Sequence, residues 1–148
     1  QTVLAAGDPE ALLQAAAGAP LKAVKISDPE TVELRKNTLD EFLNVLALKQ
    51  DPVLIAGRWF KQDLREILNW MCGWVIDMLR LQAVSQPAGM INPDKRQRLR
   101  EIVKSLDHKR LFQALGHIYD ARGSVDATLN GQMMLERLLL ALVKSRTT

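Results

Sequence analysis

Apolar residues recur three or four positions apart along almost the whole chain, and nowhere alternate for the length of a strand. The pattern predicts an all-α protein. It is densest near the C-terminus, where Leu135, Leu138, Leu139 and Leu142 share one helical face and Met134 and Leu140 widen it. A helix so apolar around its circumference is expected in the core, with several others packed against it.

Start and stop signals divide the remainder. Asp8-Pro9-Glu10 opens an alanine-rich helix within 3–17, with Leu12 and Leu13 inward, and Gly18 ends it. A short helix follows over about 20–26. Asp28-Pro29 starts a helix predicted over 29–49, with Val32, Leu39, Phe42, Leu43 and Leu46 as its stripe. Asp51-Pro52 begins a brief apolar run ending at Gly57, read as one or two helical turns, with a short strand as the alternative. The longest helix is predicted over 59–83. Phe60, Leu64, Ile67, Met71, Trp74, Val75 and Met78 line it, Trp59, Trp70 and Leu81 lie partly off that line, and all three tryptophans belong to it. Residues 85–91 read as an irregular linker. Asn92-Pro93-Asp94 caps a basic helix to about 104, anchored by Leu99, Ile102 and Val103. A further helix over about 107–122 turns Leu111, Leu115, Ile118 and Tyr119 inward, and Gly123 closes it.

At 148 residues the chain can bury a core without disulfide or metal. Cys72 is the single cysteine, which excludes an internal disulfide and fits a reducing compartment. No apolar run is long enough to span a membrane. The chain opens on Gln1 and is read as a piece of a longer protein whose remaining part holds the chemistry. Net charge is +3, but the first 57 residues carry 5 basic and 8 acidic groups while residues 85–148 carry 11 and 6. That tilt raises a nucleic-acid partner for the basic 95–110 segment. Yet Arg96, Arg98 and Arg100 spread around a helix, and no aromatic residue is interleaved for stacking.

Catalytic chemistry is not visible. His108 and His117 are too far apart for a helical metal pair, no phosphate-loop pattern exists, and Cys72 has no neighbouring base. No cofactor, metal or catalytic residue is expected, and Cys72 and His117 read as a buried thiol and a partly buried histidine. Trp59 and Trp70, as aromatics off the core line, are candidates for a partner surface. A small-molecule site on the tryptophan-rich helix is a further reading.

Two stretches resemble a known family. Asn130-Gly131-Gln132-Met133-Met134-Leu135-Glu136-Arg137-Leu138-Leu139-Leu140 resembles the ending of bacterial clamp-loader subunits: asparagine, apolar run, glutamate, triple leucine. Ala17-Gly18-Ala19-Pro20-Leu21-Lys22-Ala23 resembles the second sensor segment of the AAA+ lid in the same proteins. Their spacing, with a tryptophan-bearing helix between, is similar to the delta-prime subunit of DNA polymerase III. In the ATP-hydrolysing subunits an arginine follows the sensor glycine by three positions and reaches the nucleotide. Here that place holds Leu21, which has no donor, while Lys22 points about 100° away around a helix. This suits delta-prime and argues against gamma/tau.

The resemblance implies that residues 1–27 end an AAA+ lid and residues 28–148 form a helical collar. It implies a non-catalytic oligomerisation domain within a pentameric loader that places the sliding clamp on primed DNA. Its partners would be the delta and gamma/tau subunits, with DNA met only through the assembly, in the cytoplasm and away from membranes. The isolated piece would be a monomer. Trp59, Trp70, Arg137 and Lys144 are the expected interface residues, and the basic 95–110 segment is the rival nucleic-acid reading.

Overall fold

The computed structural model describes residues 28–84 and 96–147. The readings made for residues 1–27, the 85–91 linker and the cap at Asn92-Pro93-Asp94 lie outside the described residues. Within them are six α-helices: α1 (Pro29–Leu46), α2 (Pro52–Trp59), α3 (Leu64–Ala83), α4 (Arg96–Val103), α5 (His108–Gly123) and α6 (Gly131–Lys144). A 3-10 turn, Val125–Ala127, links the last two. Among the described residues no strand forms, and the only extended pairing is an isolated bridge between Leu106 and Arg146. The chain is all-α.

Most starts are set by side-chain caps. Asp28 accepts from the Thr31 amide and Asp51 from the Val53 amide, each with proline in the first turn. Asp63, Asp107 and Asn130 accept likewise from the amides of Glu66, Arg110 and Met133. Each bond satisfies one of the orphan donors of a first turn.

Three boundaries differ from the sequence reading. α1 stops at Leu46 because Leu48 takes a left-handed conformation (φ 62°). The Leu48 amide then bonds Val45 O and the Lys49 amide bonds Asn44 O, the paired bonds of a Schellman turn. α2 runs through Gly57 to Trp59. The chain breaks at 60–63 before Asp63 caps α3, so Trp59 belongs to α2 and the tryptophans sit on two helices.

α3 is the most enclosed helix, burying twelve of its residues from Glu66 to Leu81. It packs against α5 and α4, while α6 packs against α2, α5 and α1. The centre is therefore α3. α6 is amphipathic, with Leu135, Leu138, Leu139 and Leu142 inward and Met133 and Leu140 at the surface. Four aromatic rings run through the core: Trp59 against Phe42 (6.5 Å), Phe42 against Trp74 (5.0 Å), and Trp74 against Trp70 (6.4 Å). Centroid spacings of this order are those favoured by aromatic quadrupoles. Val32, Phe60 and Tyr119, expected inward, are exposed: Val32 in the first turns of α1, Phe60 in the turn after α2, and Tyr119 on the solvent side of α5 beside the Arg122 guanidinium.

Candidate interaction surface

The groups able to meet a partner follow from how the helices spend their faces. On α6 the core takes Leu135, Leu138, Leu139 and Leu142, so at about 100° per residue the opposite side carries Met133, Arg137, Leu140 and Lys144. All four are exposed, in an order that alternates apolar and basic. Arg137 and Lys144, expected at an interface, are thus brought onto one face.

The tryptophans are placed elsewhere. Trp59 keeps 1% and Trp70 7% of its surface exposed. Both are in the core although they lie partly off the line drawn from apolar spacing, because α2 ends at Trp59. The turn at 60–63 then swings the Trp59 ring onto Phe42 rather than along the α3 line. Its Nε1 donates to Glu41 Oε1 (3.0 Å), and the same carboxylate pairs with Arg58 (2.5 Å). Trp70 lies beside a cavity of about 90 Å³ between the start of α1 and the start of α3.

A second feature has little signature in the sequence. Between α5 and α6 runs an open groove of about 820 Å³. Arg110 and His117 stand on its α5 side, Lys144 and Arg146 on its α6 side, and Leu48 reaches its rim from the turn after α1. Arg110 Nη1 donates to Lys144 O (3.2 Å), and Arg146 Nη1 donates to Leu46 O (2.6 Å). These bonds hold two guanidiniums at the groove without neutralising them. Among the described residues none that lines it is acidic. The sequence signal is faint: Arg110, Gln113 and His117 share one side of α5, but the rest comes from segments distant in the chain.

The remaining chemistry-bearing residues are occupied structurally. Cys72 is buried, and burial pushes its thiol up to about 11, with Arg122 drawing it the other way. Such a thiol is inert at neutral pH. His108 Nδ1 lies 2.8 Å from Gln82 Oε1, and His117, expected partly buried, is exposed. Among the described residues no group of histidine, cysteine and carboxylates is arranged to hold a metal. In the 95–110 segment Arg98 bonds Asn44 and lies 3.7 Å from Asp40, and Arg110 stands at the α5–α6 groove. Among the described residues of the segment these two cations are therefore directed to different places, which weakens it as a phosphate track.

Comparison with known families bears on this all-helical arrangement. Residues 29–144 match the family model for "DNA polymerase III, delta subunit, C terminal". The chain belongs to that family. It is therefore a domain of a clamp-loader subunit, and the C-terminal domain of the delta subunit is a non-catalytic part of the loader. No curated protein and no solved structure matches the chain significantly. Among the described residues no helix is long and apolar enough to cross a membrane.

Proposed function

We propose that this chain is the collar region of a clamp-loader subunit of the delta-prime type. Residues 28–148 form the oligomerisation domain and residues 1–27 the end of an AAA+ lid. Its work is to hold the subunit in a pentameric loader beside delta and gamma/tau, so that the loader can place the sliding clamp on DNA. The delta-prime assignment leans on Leu21, which stands where the ATP-hydrolysing subunits have a phosphate-reaching arginine. A cytoplasmic location goes with that role.

The observation that carries the reading is the outer face of α6. Met133 and Leu140 are large apolar groups left at the surface, and Arg137 and Lys144 interleave with them. Apolar anchors ringed by cations suit a protein partner, where desolvated side chains give affinity and rim charges give orientation. A ring of non-identical subunits needs two different faces on each member. The α6 face is one of them in this reading. Trp59 and Trp70 act from beneath, as core residues that keep α2 and α3 in place.

The test is a double variant, Arg137→Glu with Leu140→Glu, in a pull-down against the delta and gamma/tau partners. Both positions are exposed, so helix content should stay unchanged by circular dichroism while recovery of the partners falls. Undiminished recovery would remove the α6 face from the interface.

A further inference from the structure

We infer that the groove between α5 and α6 is a docking site for an acidic peptide segment carrying leucine-like side chains, supplied by a partner protein. This goes beyond the collar reading, uses a face that shares only Lys144 with the outer side of α6, and does not depend on which subunit the protein represents.

Three observations point to the occupant. The first is charge. Arg110, Lys144 and Arg146 bring positive charge into the groove, and none of the described lining residues is acidic. Cations focused in a concavity attract a negative segment and orient it on approach.

The second is the apolar floor. Ala114, Ala141 and Val143 line the same groove and are small, so a backbone can come close. A phosphate backbone would gain nothing from that floor. Among the described residues no aromatic side chain lines the groove for base stacking, which favours a peptide over a nucleic acid.

The third is Leu48. Leucine at positive φ is strained, and glycine is the residue this turn position ordinarily takes. Leu48 nevertheless stands there, 62% exposed, at the edge of the groove. A strained, exposed, apolar side chain at the rim of a cationic cavity is explained by a partner that covers it. An apolar side chain of the bound segment would pack on Leu48 and Val143 while its carboxylates meet Arg110 and Lys144.

The experiment is a fluorescence-anisotropy titration of the 148-residue chain with a short fluorescein-labelled peptide that repeats leucine between pairs of aspartates. Saturable binding that weakens with salt is expected, with little binding of the matching peptide whose leucines are serines. Lys144→Glu should lower affinity about tenfold. Leu48→Gly should lower it several-fold while the melting temperature holds or rises, since glycine suits the turn. That combination separates lost docking from lost folding. The inference is overturned if the acidic peptide does not bind, or if neither variant changes its binding. It is also overturned if a single-stranded oligonucleotide displaces the peptide at equal concentration, or if light scattering shows a dimer that Lys144→Glu dissociates.

Discussion

Arg146 Nη1 donates to the backbone carbonyl of Leu46 at 2.6 Å, joining the end of the described chain to the end of α1 across 100 positions of sequence. Leu46 is the last residue of α1, so its carbonyl has no partner within the helix and sits at the negative end of the helix dipole. A second donor contact reaches Ser105 Oγ at 3.4 Å, and the neighbouring Thr147 amide bonds Ser105 O. One guanidinium therefore ties α1, the turn before α5 and the tail of α6 together.

Removing it has a definite cost. Arg146→Ala leaves the carbonyl of a buried residue unsatisfied and breaks a charge-assisted bond, a loss of roughly 1.5–3 kcal/mol. Urea denaturation followed by tryptophan fluorescence should show a lower midpoint with an unchanged slope. Arg146→Lys keeps a charged donor for the Leu46 carbonyl and should recover part of the loss.

The opposite sign is expected two residues beyond that carbonyl. Leu48 holds the left-handed position of the Schellman turn, where an L side chain costs about 1–2 kcal/mol. Leu48→Gly removes this strain but adds freedom to the unfolded chain worth roughly 0.5–1 kcal/mol. The net expectation is a stabilisation of up to about 1 kcal/mol, visible as a raised melting temperature. A clear drop would mean that Leu48 contributes packing not evident from its exposure.

Cys72 gives a pH dependence. Its folded-state value is raised from 9.0 to about 11 by burial. Well below pH 9 the thiol is protonated in both states and contributes no slope. Between about pH 9 and 11 the unfolded chain releases this proton while the folded chain keeps it, so stability falls as pH rises. Cys72→Ala should show a shallower alkaline decline in melting temperature than the parent. Native Cys72 should also react slowly with iodoacetamide at about pH 8 and quickly once urea unfolds the chain.

Apolar spacing alone makes Trp70 look like an interface residue. At 7% exposure, against the Trp74 ring, Trp70→Ala instead opens a core cavity and should cost about 3–5 kcal/mol. A loss of partner binding in that variant should therefore come with a lowered melting temperature. Binding lost at unchanged stability would show that the indole meets the partner directly.

What can be read from the sequence tracks how local each signal is. Asp28-Pro29 and Asp51-Pro52 mark two helix starts because cap and proline act within one turn. Asp63 with Glu66 three residues on is an equally good start signal, but apolar spacing runs unbroken across it and conceals the break at 60–63. That one concealment puts Trp59 on the wrong helix and hides its core position. The end of α1 is overshot because the residue in the left-handed place is leucine, which carries no stop signal. Arg137 and Lys144 on the outer side of α6 are within reach of periodicity alone. The groove is not, since it needs Leu48, His117 and Arg146 side by side, and only the packed bundle provides that.

The most direct test of the account is size-exclusion chromatography with light scattering, on the 148-residue chain alone and mixed with delta and gamma/tau from the same organism. The account predicts a monomer alone and a stable heteromeric complex in the mixture. Separate elution of the chain and those partners, at concentrations where they assemble with one another, would contradict it.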